Sequence, residues 1–181
     1  RMDYNRKHRG DVYATHGMGP ACQLLDIHRG DKMNYLVSMD TKAVSAPEYL
    51  KNKTGEEVKD FKNGDHTITL IRTENGKTIQ IQHDVVSPRP YSRMYQLTGT
   101  KGFANKYPTE GYALDAAQME ASGMQPEIDN LNSHRFLPKE EMETLVEKYQ
   151  HPILKKYGEI AKEVGGHGGM DFIMDSRLIY C

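Results

Sequence analysis

The chain has 181 residues, and its 24 Lys+Arg against 25 Asp+Glu give a formal net charge of −1. That balance offers no strong field to nucleic acid or to an anionic membrane, so neither is expected as a partner. The length suits one domain with a real core, and 37% hydrophobic with 27% charged residues excludes a disordered or collagen-like chain.

No run of about 18 apolar residues occurs, so no membrane span is expected. With only Cys22 and Cys181, a disulfide framework and a four-cysteine zinc site are excluded, and the redox compartment stays open. The chain starts at Arg1 and stops at Cys181 while still inside an apolar run. A helix opening near Asp171 would halt there without Gly, Asn or Pro, so the sequence is expected to be an excised domain.

In chain order, Thr15 is a good N-cap for a helix running to Ile27 and His28, with Leu24, Leu25 and Ile27 on one buried face and Gly30 as its stop. Leu36-Val37-Ser38-Met39 reads as a strand. Residues 43–64, polar with Pro, Gly and Lys, read as a loop. The runs 67–72 and 78–82 alternate around Asn75-Gly76, which predicts a β-hairpin closed by a type I′ turn. After Pro88 and Pro90, residues 91–99 read as a third long strand, and 100–137 as loop-rich.

Pro138 at N1 opens a helix with Met142, Leu145, Val146 and Tyr149 on one face. Pro152 opens another, with Ile153, Leu154, Tyr157, Ile160, Ala161 and Val164 on one stripe. Gly165-Gly166-His167-Gly168-Gly169 breaks that helix before the last one. Strands followed by helices argue for an α+β fold: a mainly antiparallel sheet with helices packed on one face.

The densest chemistry is Tyr13-Ala14-Thr15-His16-Gly17-Met18-Gly19-Pro20, a phenol, a hydroxyl and an imidazole at a helix N-terminus whose dipole favours anionic ligand groups. The plainer meaning is a capped, solvated helix start. Gly17-x-Gly19 lacks the third glycine and the preceding strand of a dinucleotide loop, and 165–171 also misses that spacing. A helix-breaking turn is the plainer meaning there; the alternative is backbone approach to a ligand, with His167 or Asp171 orienting a polar neighbour. Tyr91, Tyr95, Arg89 and Arg93 suit a sugar by stacking and forked donors, or else belong to an exposed sheet face. The eight His show no tight metal-ligand spacing, so no metal is expected. Glu140, Glu141 and Glu143 read as a solvated first helical turn.

From Tyr13 to Pro20, with Gln23-Leu24-Leu25 and His28-Arg29-Gly30-Asp31, the sequence resembles the NAD-dependent α-N-acetylgalactosaminidases of glycoside hydrolase family 109. Ser87 to Arg93, Gly99 to Gly102 and Gly165 to Phe172 resemble the same family in the same order. These enzymes are Gfo/Idh/MocA oxidoreductases, so the resemblance implies that residues 1–181 are the C-terminal substrate-binding and oligomerisation domain. The NAD-binding Rossmann domain would then lie outside the chain, and the isolated fragment would be inactive.

The family's substrate motif falls on Tyr13, Ala14, Thr15 and His16, with proline usual where Ala14 stands, and its tyrosine also lies near NAD. Arg1, twelve positions earlier, and Tyr95, with Tyr91 as competitor, match further substrate contacts. The implied reaction oxidises the sugar at C3, removes the C2 proton, eliminates the aglycone, adds water and returns the hydride, without the usual carboxylate pair. Tyr13 and His16 would handle the protons. The resemblance also implies association through the open sheet and, since many relatives are exported bacterial proteins, a periplasmic or exported location. Two other readings fit the architecture: an NAD(P)-dependent sugar or polyol dehydrogenase, and an idle carbohydrate-binding or dimerisation module.

Overall fold

A computed structural model describes residues 2–125 and 135–180. It divides into two compact units, Arg1–Tyr91 and Ser92–Cys181. The first contains α1 (Met2–Lys7), α2 (Thr15–Leu24), β1 (Met33–Asp40), α3 (Ser45–Thr54), β2 (His66–Thr73) and β3 (Thr78–Asp84). The second contains β4 (Gln96–Thr98), β5 (Gly102–Asn105), β6 (Gly111–Leu114), α4 (Ala116–Ala121), α5 (Lys139–Tyr149), α6 (Pro152–Val164), a 3₁₀ turn at His167–Gly169 and α7 (Met170–Ile179). Each unit has a three-stranded antiparallel sheet, in the orders β1-β2-β3 and β4-β5-β6. The fold is α+β with open sheets and helices packed on one face, as the sequence predicts.

In the first sheet, alternation sorts Thr67, Thr69, Ile71 and Thr73 of β2, with Ile79 of β3, onto a buried face. The hairpin is real, but its turn is not type I′. Thr73 N–H donates to Lys77 O at 2.9 Å, and Gly76 N–H to Thr73 O at 3.1 Å, so three residues form the loop. Only Gly76, at φ 86°, is left-handed within it, which is the pattern of a type I turn followed by a glycine bulge.

The predicted loop at 43–64 contains α3. Its first amides are capped from far along the chain: Asp65 accepts from Val44 N at 3.1 Å and Ser45 N at 2.8 Å, and Gly55 closes the helix in the left-handed region. In the second unit, residues 91–95 are not strand. Ser92 Oγ accepts from Met94 N–H at 3.2 Å, a local bond that competes with sheet pairing, and the strand starts only at Gln96. The loop-rich stretch holds β5, β6 and α4, the last capped by Asp115 Oδ1 accepting from Gln118 N–H at 2.7 Å; Pro126 lies outside the described residues.

Pro138 is the N-cap of α5 rather than its first helical residue. Behind β6, Met119, Met124 and Leu137 form a buried cluster, with Tyr112, Leu114, Met142 and Leu145 packed against it. Val146 and Tyr149 stay exposed. In α6 only Ala161 of the predicted stripe is fully buried, and Leu154, Ile160 and Val164 are exposed.

Candidate functional site

The motif at Tyr13 sits where the chain enters α2. Ala14, not Thr15, is the N-cap; it is already in the right-handed helical region and makes no side-chain cap bond. Thr15 is therefore the first helical residue and is exposed, which leaves its hydroxyl on the surface. The expected run to His28 stops at Leu24, because Asp26 and His28 both adopt positive φ and turn the chain back. No residue of α2 is buried, contrary to the expected buried face; Ile27 just beyond it is.

Tyr13, just ahead of the Ala14 N-cap, and His16, in the first turn of α2, come together. Tyr13 Oη and His16 Nε2 are hydrogen-bonded at 2.9 Å, and their rings lie 5.0 Å apart, tilted by 52°. Both side chains are reachable, Tyr13 being 49% exposed. A phenol bonded to an imidazole is a proton-transfer pair: either group can pass a proton to the other while one of them faces a ligand.

Polar contacts hold the segments on either side of this pair. Ahead of it, Arg9 forms a fork onto Asp40 at the end of β1, with Nε–Oδ2 at 3.0 Å and Nη2–Oδ1 at 2.5 Å. Arg9, by hydrogen bond and charge, holds the Asp40 carboxyl below its ordinary range against the effect of burial. Asp11 Oδ1 accepts the Tyr13 amide at 2.9 Å and lies 3.8 Å from His83 Nε2 on β3.

Behind the pair, Lys77 Nζ reaches Leu25 O at 2.7 Å and Asp31 Oδ2 at 3.3 Å, tying the end of α2 to the hairpin. Burial disfavours the charged form of Asp31. Hydrogen bonds from Thr73, the Asn75 and Lys32 amides and Lys77 outweigh that and bring its pKa down to about 2.

Arg1 lies outside the described residues. Tyr95 belongs to the second unit, half-buried just before β4, with its carbonyl accepting from Lys106 N–H at 2.9 Å. Its competitor Tyr91 is strongly exposed. Arg89 Nη1 lies 3.7 Å from Asp84 Oδ2. Burial works against the Asp84 charge, yet hydrogen bonds from Ser87, Val86 and His66 hold its carboxyl below the usual range.

His167 Nδ1 and Asp171 Oδ2 pair at 2.9 Å, beside a groove of about 680 Å³ between α6 and α7. Two of the glycines around them, Gly166 and Gly169, serve close packing within the protein. A Cβ at Gly166 would meet the Asp171 carboxylate at 2.8 Å, and one at Gly169 the Ala161 backbone at 2.7 Å. Among the described residues no group of three or more His, Cys, Asp and Glu is placed to hold a metal, and no helix is long and apolar enough to cross a membrane.

Sequence reasoning missed Asp11 and His83. Asp-x-Tyr is the spacing at which a carboxylate receives the amide two residues on, so Asp11 was legible. His83 is near only through the sheet.

An α+β domain presenting a tyrosine–histidine pair at a helix start is a class that many activities share. The chain matches the family Glycosyl hydrolase 109, C-terminal domain, over residues 1–181. It is 73% identical to Glycosyl hydrolase family 109 protein 5 of Phocaeicola vulgatus, 66% to Glycosyl hydrolase family 109 protein 1 of Bacteroides fragilis and 65% to the Glycosyl hydrolase family 109 protein of Porphyromonas gingivalis. Each match covers the whole chain but only 35%, 39% and 38% of the respective relative. The chain belongs to the glycosyl hydrolase 109 C-terminal domain family, within the Gfo/Idh/MocA superfamily.

Proposed function

We propose that this chain is the substrate-binding part of an NAD-dependent glycosidase acting on α-N-acetylgalactosaminides. The observation that carries the reading is the exposed Tyr13–His16 hydrogen bond, within a chain that matches its family from end to end. Gly17 and Gly19 lie inside α2, and the glycines of 165–169 include two that pack tightly against protein atoms, so neither segment is a pyrophosphate cradle. The exposed phenol of Tyr13 fits a contact beside a nicotinamide, with the phosphates held by a separate Rossmann domain. NAD, when bound, supplies reversible oxidation at C3 of the sugar, which makes the C2 proton acidic.

Tyr13 and His16 hold and move that proton: the group facing C2 accepts it, and the 2.9 Å bond lets its partner share the charge. Arg1, Ala14, Thr15 and Tyr95 orient the sugar, so that the leaving oxygen at C1 and the incoming water meet one geometry. The partner reading is a second copy of the chain on the first sheet, in an exported or periplasmic protein. It is supported by exposed Tyr35, Val37 and Met39, which register opposite Arg72, Leu70 and Ile68 on one face. In the full-length protein, Val37→Lys with Met39→Lys is expected to lower the mass measured by sedimentation to that of a monomer; an unchanged mass rejects this surface.

The test of function is hydrolysis of an α-N-acetylgalactosaminide by the full-length protein in deuterated water, with mass analysis of the released sugar. Deuterium at C2 is expected. Hydrolysis without exchange rejects the oxidation route, and a net oxidised sugar makes the protein a dehydrogenase. Tyr13→Phe and His16→Ala are each expected to lower turnover about a hundredfold or more; wild-type turnover in both removes them from the mechanism.

A further inference from the structure

Between α2 and the first sheet lies a buried contact that the Tyr13–His16 chemistry does not itself use. Asp11 and His83 have side chains only 8% and 11% exposed, yet their one close approach is Asp11 Oδ1 to His83 Nε2 at 3.8 Å. That nitrogen is buried and has no hydrogen-bond partner among the described residues. A buried imidazole nitrogen without a partner is costly, and the acceptor that faces it is a carboxylate. The same carboxylate oxygen accepts the Tyr13 amide at 2.9 Å. One oxygen therefore joins the interior of the sheet to the backbone that carries the phenol.

We propose that Asp11 and His83 are positioning residues, which set the backbone at Tyr13 so that its phenol meets His16. The α2 N-cap supplies no side-chain bond of its own, so the direction of the chain at Ala14 is set from outside the helix. Asp11 supplies it through the turn that its carboxylate makes two residues on. His83 stands on β3, where Thr67 pairs with it in register, and its Nε2 faces Asp11 Oδ1 at 3.8 Å, a polar neighbour that keeps the carboxylate turned toward the Tyr13 amide. The Arg9–Asp40 fork anchors the same lead-in to β1. With both anchors the segment has a fixed height above the sheet. Without Asp11 the Tyr13 amide loses this acceptor, and the phenol loses its register with the imidazole.

This inference rests on the glycosidase reading for its kinetic consequence but not for its geometry, so the test has two readouts on the full-length enzyme. With a chromogenic α-N-acetylgalactosaminide, Asp11→Ala is expected to lower kcat about 10- to 100-fold with KM changed by no more than about twofold, as for a misplaced catalytic group. Asp11→Asn keeps an oxygen to accept the Tyr13 amide and is expected to return kcat to within about threefold of wild type. His83→Leu, which fills the space without a nitrogen, is expected to lower kcat about tenfold, and it serves if Asp11→Ala does not fold.

The second readout needs no sugar: the ring signal of His16 in carbon-13 histidine-labelled enzyme, identified by its disappearance in His16→Ala. It is expected to move in Asp11→Ala and His83→Leu and to return in Asp11→Asn. Wild-type kcat, or a His16 signal that stays in place while kcat falls, overturns the proposal. A wild-type enzyme that hydrolyses nothing while the His16 signal responds as expected rejects the glycosidase reading and sustains the positioning role.

Discussion

The two units hold their helices by different means. Around α2 no helical side chain is buried, and the segments at both its ends are fixed by polar contacts: Arg9 on Asp40 and Asp11 beside His83 ahead of it, Lys77 on Leu25 and Asp31 behind it. In the second unit, α4 buries Met119, and α5 lays half-buried Met142 and Leu145 against the cluster of Met119, Met124 and Leu137, which Tyr112 and Leu114 also cover. Burial is strong but indifferent to direction, whereas hydrogen bonds are modest in net energy and strict in geometry. A segment that presents a phenol and an imidazole in register gains more from the second kind.

The largest effect on stability is expected in the apolar cluster. Leu137→Ala removes a buried side chain and leaves a cavity, at a cost of about 2–5 kcal/mol read from denaturant unfolding. A loss below about 1 kcal/mol would mean that the second unit also relies on its polar bonds, and the contrast would fail.

Asp31 gives the counterpart in the first unit. Its folded pKa of about 2 lies below the ordinary carboxylate range, so the unfolded chain takes up the proton first as pH falls. The stability that Asp31 contributes is fully present above about pH 4 and is lost as pH falls toward 2. Asp31→Asn is expected to flatten that part of the stability-against-pH curve and to leave the rest of its shape alone. An unaltered acid limb would show that the other carboxylates with lowered pKa, Asp40, Glu57 and Asp84, carry the acid sensitivity.

The same contrast explains what the sequence made legible. The hairpin was readable because β-branched alternation and Asn75-Gly76 are local signals, although the turn's bulge depends on Lys77 and Thr73 pairing outside the dipeptide. Tyr13 and His16 were readable as a phenol and an imidazole three residues apart at a helix start, the first just before it and the second within it. The loop reading at 43–64 missed α3 because its cap, Asp65, arrives from beyond the helix, and only Gly55 marked its end locally. Strands β5 and β6, four residues each, are too short to show a period, and their pairing is set by neighbours rather than by propensity. The burial of α2 was misread because leucines at helical spacing imply a buried face only where something covers them.

The smallest effect sharpens the comparison from the other side. Lys162 and Glu159 on α6 meet at 2.9 Å, as close as many of the contacts around α2, but their side chains are 67% and 88% exposed. Water screens such a pair, and ordering two long side chains offsets most of its attraction. Lys162 also sits in the last turn, where its charge complements the helix dipole, while alanine has the better helix propensity. These terms nearly cancel, so Lys162→Ala is expected to change unfolding stability by less than about 0.5 kcal/mol, with the change shrinking further in high salt. A loss above about 1 kcal/mol would mean that proximity of opposite charges is enough on this protein. The bonds around α2 would then differ from an ordinary surface pair only in location, and the site's geometry would have to be explained by something other than buried, directional contacts.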